Sequence, residues 1–204
     1  AWAPADGLVA GRLALRENYP AGRTKIAFYV AADGHFATVS MAKSMPKNVY
    51  DTLILSLLDS SEQTVKQLNE FQPHRLTGYS SSVAYLAELA LDGRIEIHPQ
   101  RVFVGGDKLT DNMEKKIRGA WGVPIYMLYA ASESKYIAIK SPERDEMMVM
   151  DDLNIVEVLD ENNQAVGDGQ EGRVVLTNLY NYTLPLLRYE LGDYVVKGTT
   201  ARPE

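Results

Sequence analysis

Apolar and polar positions alternate along the chain in three regimes. Residues 1–23 show no periodicity and are punctuated by Pro4, Gly7, Gly11, Pro20 and Gly22, so they read as irregular. Thr24 to Ala31 is a nearly continuous apolar run, the pattern of a buried strand. His35 to Met41 alternates, which predicts a second strand across an Asp33-Gly34 turn. Thr52 to Leu58 is a short apolar run that periodicity assigns to neither strand nor helix.

Three helices follow from spacing and end signals. Ser60 with Gln63 forms a capping box ahead of Val65, Leu68 and Phe71. Ser80 is placed to cap a helix with Val83, Leu86, Ala87 and Ala90 inward, ended by Gly93. Asp111 with Glu114 opens a third, with Met113, Ile117 and Trp121 inward and Gly122 and Pro124 as its stop. Short apolar segments at Arg75 to Gly78, Arg101 to Val104 and Val123 to Tyr129 lie between them. This order predicts an α/β fold, a mostly parallel sheet flanked by helices, over residues 1–135. From about residue 136 short strands and polar turns predict a small antiparallel β subdomain, 136–204.

Composition narrows the function classes. The chain has 204 residues, 46% hydrophobic and 24% charged, ordinary for a globular protein. Its net charge of −6 gives no electrostatic case for nucleic acid or an anionic membrane. With no cysteine, thiol catalysis and Cys-ligated zinc are excluded. No apolar run reaches the roughly 18 residues of a membrane span. The start at Ala1 lacks Met and a signal-peptide form, so a piece of a longer cytoplasmic protein is expected.

In parallel sheets ligands bind beyond the carboxyl ends of the strands. That points to Gly78-Tyr79, Gly105-Gly106-Asp107 and Ala130 to Glu133. In Tyr129-Ala130-Ala131-Ser132-Glu133 an aromatic can stack on a base, a hydroxyl can meet a phosphate, and a carboxylate can hold Mg²⁺. The same residues also fit a strand end followed by a helix cap at Ser132. Asp193, after Gly192, can accept hydrogen bonds from a ribose diol, or simply sit in a β-turn. Gly105-Gly106-Asp107 can line a flat adenine, or be a turn needing positive φ.

Taken in order, QPHRLTGY at 72–79, VFVGGDKL at 102–109, YAASES at 129–134 and EGRVVLTNLYNYTLPLLRYELGD at 171–193 resemble the phenylacetate–coenzyme A ligase group of adenylate-forming enzymes. The resemblance implies formation of an acyl-adenylate from ATP and a small carboxylic acid, an aromatic one being compatible. Transfer to the thiol of coenzyme A or an acyl carrier protein would follow. It implies that Tyr129 stacks on adenine, Ser132 contacts the α-phosphate, Glu133 holds Mg²⁺ and Asp193 binds the ribose. Gly105, Gly106 and Asp107 would line the adenine pocket, and Tyr79 and Ala130 would border the acyl group. Relatives usually carry Gly and often Thr where this chain has Ala130 and Ser132. The group's phosphate-wrapping Ser/Thr/Gly-rich loop and its C-terminal catalytic Lys have no counterpart in these 204 residues. The alternative is therefore a nucleotide-binding remnant or an interaction module without turnover, with homodimerisation as one outcome.

Overall fold

The computed structural model describes residues 22–31 and 37–199. The large sheet starts with β1 (Thr24–Val30), whose odd and even side chains are both buried. Burial on both faces is what a continuous apolar run requires of a central parallel strand. β2 (Tyr50–Ser56), β3 (Arg75–Tyr79), β4 (Arg101–Gly105) and β5 (Ile125–Tyr129) lie parallel to it, in the order β2-β1-β3-β4-β5. β6 (Ala138–Lys140) and β7 (Met148–Val149) continue the same sheet antiparallel beyond β5. β8 (Asn154–Leu159), β9 (Glu171–Asn178) and β10 (Tyr189–Val196) form a separate antiparallel sheet, β10-β9-β8. The predicted fold class, a mostly parallel sheet flanked by helices with a small antiparallel β part, is what the chain adopts.

α1 (Ala37–Ser44) occupies part of the stretch that alternation assigns to a strand. A hairpin partner would have run antiparallel to β1, but β1 pairs with β2 in parallel, and a parallel pair needs a crossover segment. Val39 and Ala42, one turn apart, are buried against Ile26 and Phe28. His35 and the Asp33-Gly34 pair lie outside the described residues, as do 1–21.

α2 (Ser61–Phe71) begins as predicted, with the Ser60 hydroxyl accepting from the Gln63 amide. α4 (Asp111–Trp121) begins one residue earlier than its acidic pair indicates: Thr110 is the cap and accepts from the Met113 amide, while Asp111 is the first helical residue. For α3 (Ser80–Leu91) the capping residue is Tyr79, which supplies no side-chain bond, and Ser80 is already inside the helix. Its cap comes from elsewhere in the chain.

The sheet separates two packed layers. On one face Leu68 of α2, Val83 and Leu86 of α3 and Ile117 of α4 close over Ala27, Leu76 and Val102. On the other, Ile26, Phe28 and Val30 meet α1, Tyr136 and Leu153. Among the described residues this second layer leaves the carboxyl ends of β3, β4 and β5 partly uncovered. A cavity of about 310 Å³ opens there.

Candidate functional site: a cavity at the strand ends

The cavity sits where parallel-sheet geometry predicts a ligand. Tyr79, Gly105, Gly106, Ala130 and Ser132 line it, together with Met41 and Met150 from the covering layer. Its depth runs down the strands to Thr77 and Arg75. The glycines are required by closeness. A Cβ on Gly105 would stand 2.4 Å from the Leu128 carbonyl oxygen. Gly106 has φ +81°, and a Cβ there would meet the Tyr79 ring at 2.7 Å. Tyr79 therefore packs on bare backbone at the cavity rim.

Strand alternation divides β5 between two environments. Leu128 and Ala130 face the cavity, and Tyr129 between them points the other way. Its hydroxyl donates to the Asp193 carboxylate at 2.7 Å. Burial first, then Asp193 and the nearby Glu133 carboxylate, push the Tyr129 pKa above the usual phenol value. The phenol thus stays a donor. Asp193 is not in the β-turn expected of Gly192-Asp193. It lies within β10, whose pairing with β9 slips between Glu190 and Tyr194, with Gly192 at φ +81°. The irregularity aims Asp193 at Tyr129, as bulges beside binding sites do.

The loop after β5 is not a helix start. Residues 130–137 contain no helix, so Ser132 caps nothing and stands exposed. Two buried asparagines fix this loop. Asn154 accepts from Ser134 Oγ at 2.7 Å. Asn178 donates to the Glu133 carbonyl at 3.1 Å and accepts from the Tyr180 and Asn181 amides. Asn178, within the 171–193 block of the sequence resemblance, thus ties the β5 loop to the segment leading to Asp193. The Glu133 carboxylate itself makes no hydrogen bond or ion pair with a described residue. Among the described residues no group of three or more His, Asp or Glu is placed to hold a metal ion.

Asp107 does not line the cavity. Its carboxylate accepts from the Ser80 and Ser81 amides at 2.5 and 3.0 Å, which makes it the missing cap of α3. Burial acts to raise its pKa, but hydrogen bonds from Ser81 and Ser80 outweigh it and hold the carboxyl below its ordinary value. The α3 N-terminus is thereby occupied by a protein carboxylate. His74 is also structural: its Nδ1 accepts from the Lys25 amide at 3.1 Å. Sequence reasoning misses Arg75, Thr77 and Lys135 in the cavity wall. A strand segment alone does not say which face opens onto a cavity.

An open conformation of 2-hydroxyisobutyryl-CoA ligase, in complex with 2-HIB-AMP and CoA, superposes with a TM-score of 0.79 at 19% identity, covering 96% of this chain and 44% of that one. The chain has the fold of the adenylate-forming ligases. The adenylate-forming fold also relates it to the N-terminal subdomain of Klebsiella oxytoca NpsA, in complex with 3-hydroxyanthranilyl-AMSN. There the TM-score is 0.62 at 15% identity, over 86% of this chain and 51% of that one. In sequence, Protein CapK of Staphylococcus aureus is 33% identical over 133 residues, 64% of this chain and 28% of that protein. Phenylacetate-coenzyme A ligase of Pseudomonas putida is 26% identical over 151 residues, 70% of this chain and 34% of the enzyme. No protein-family model matches. The chain spans about a third of the length of these two curated relatives. Among the described residues no helix is long and apolar enough to cross a membrane.

Proposed function

We propose that this chain forms the acyl- and nucleotide-binding centre of an ATP-dependent acid–thiol ligase. The observation that carries this reading is the division of β5: Ala130 borders a largely apolar cavity while Tyr129 faces Asp193. An acyl-adenylate needs these two environments side by side, an apolar pocket for the acid and a polar platform for the nucleoside.

In this reading the acid occupies the cavity with its carboxylate toward Ser132. The carboxylate oxygen attacks the α-phosphorus of ATP, the bond to the β-phosphate oxygen breaks, and pyrophosphate leaves. A thiol then displaces AMP from the acyl carbon, whether on coenzyme A or on a carrier protein. No nucleophilic side chain is needed, because the substrate supplies the nucleophile. Tyr129 offers its ring to adenine while its hydroxyl holds Asp193, whose second oxygen remains for the ribose. Ser132, exposed at the rim, donates to an α-phosphate oxygen. Gly105 and Gly106 let the nucleotide approach backbone.

Mg²⁺ is commonly held by one or two carboxylates plus substrate phosphates. Glu133, unpaired among the described residues, fits that limited role. Bound there, the ion would neutralise phosphate charge. Asp107 contributes by fixing Tyr79 and α3 rather than by touching the base.

The test is ATP–pyrophosphate exchange by the full-length protein over a panel of carboxylic acids. Stimulation by at least one acid is expected. AMP binding without acid-stimulated exchange would instead favour a nucleotide-binding protein without turnover.

A further inference from the structure

The deep end of the cavity is chemically unlike its walls. Arg75 lines it, with only 6% of its surface exposed. Its Nε is sealed from solvent without a hydrogen-bond partner, and no described residue forms an ion pair with the guanidinium. Thr77, two residues on and on the same face of β3, is likewise buried and lines the cavity, and its Oγ1 has no partner among the described residues. Buried guanidinium groups are ordinarily paired, since an unpaired buried charge is costly.

Arg75 is nevertheless held in place. Its Cζ lies 4.5 Å from the centroid of the Phe103 ring. Phe103 in turn stacks on Tyr126 at 4.7 Å with planes 11° apart. The Arg75–Phe103–Tyr126 stack crosses three adjacent strands on one face of the sheet, fixing a planar donor fork toward the cavity. Lys135, 4% exposed, adds a second cation to the same wall. Arg75 precedes Tyr79 by four residues on β3, and its guanidinium lies over Phe103, which pairs with Thr77, so it stands about two residues, roughly 7 Å, back along the strand from the Tyr79 rim.

We infer that the acid activated here carries a second anionic group, and that Arg75, assisted by Thr77, reads it at the cavity floor. The substrate class is a dicarboxylic acid, or an acid with an equivalent distal anion. A guanidinium binds a carboxylate through two parallel hydrogen bonds, and the fitting ligand supplies the counter-charge that no described residue provides. This inference rests on the cavity being the acyl site.

The test is calorimetry with matched acids, adipate against hexanoate and terephthalate against benzoate, on the wild type, Arg75→Met, Arg75→Lys and Thr77→Val. ATP–pyrophosphate exchange is run on the full-length protein with the same acids. The wild type is expected to bind each diacid at least about tenfold more tightly than its monoacid partner, the discrimination expected of one charge-assisted contact. Arg75→Met should abolish that preference, and in exchange raise KM for the diacid with little change in kcat. Arg75→Lys should retain part of it, and Thr77→Val should weaken it about twofold to fivefold. Equal binding of diacid and monoacid by the wild type, or a preference unmoved in a folded Arg75→Met protein, overturns the inference. If no acid stimulates exchange, the ligase reading fails, and an Arg75-dependent preference in calorimetry still decides this one. Acid-stimulated exchange without that preference leaves the ligase reading and removes this inference.

Discussion

Tyr129 and Asp193, 64 residues apart in sequence, are joined by a 2.7 Å hydrogen bond from phenol to carboxylate. It links the last residue of the fifth parallel strand to an irregularity in a strand of the other sheet. Tyr129→Phe keeps the ring and removes the donor. The expected loss is about 1 kcal/mol in orienting Asp193, read as a roughly fivefold rise in KM for ATP during exchange, with kcat nearly unchanged. An unaltered KM would mean that the bond does not serve the nucleotide.

Asp107 caps α3 from a different strand end, so its removal should be felt as stability. Asp107→Ala is expected to cost about 1–2 kcal/mol, as loss of a helix cap does, measured as a lower urea midpoint. The pH dependence has a definite sign. The folded carboxyl has a lowered pKa, so its stabilisation is present above the unfolded value of about 3.9. It is lost as pH falls through the folded value. Asp107→Ala should therefore flatten the acid limb of the stability curve, and an identical limb would refute the capping role.

Asn178 is 5% exposed and holds the Glu133 carbonyl and two following amides. Asn178→Ala leaves these groups unpartnered in a buried place, which costs about 2–4 kcal/mol by the usual penalty per orphaned group. Thermal unfolding and backbone amide exchange around Glu133 report it. Faster exchange should concentrate at residues 131–134 and 179–181.

Strands β1, β3, β4 and β5 and helices α2, α3 and α4 were legible because each carries its own signal, an apolar run or a 3.6-residue period with end signals. β2 was not, since its short run fits strand or helix alike, and β6 and β7 join the large sheet rather than the antiparallel part expected from residue 136. Nor was α1 legible. Ala37, Val39 and Met41 alternate with Thr38 and Ser40, and the helix is imposed by the parallel pairing of β1 with β2. The positions of Tyr79, Gly105, Gly106, Ala130 and Ser132 at or just past strand ends followed from topology, and all five line the cavity. The pairing of Asp107 with α3 was not visible, because it depends on two strand ends being adjacent. Arg75 was hidden for a similar reason. Within Pro73-His74-Arg75-Leu76-Thr77, nothing local distinguishes a face covered by helices from one that opens onto a cavity.

The central claim is that one ligand spans both sides of the β5 end, with its acyl part in the cavity and its nucleoside against Tyr129 and Asp193. Its most direct test is two-dimensional NMR of the isotope-labelled protein titrated with a non-hydrolysable acyl-adenylate analogue. The account predicts saturable shifts at Gly105, Gly106, Ala130 and Ser132 together with Asp193, saturating at roughly fivefold higher analogue concentration in Tyr129→Phe. Shifts confined to the α2–α4 face, or none at millimolar analogue, would contradict it.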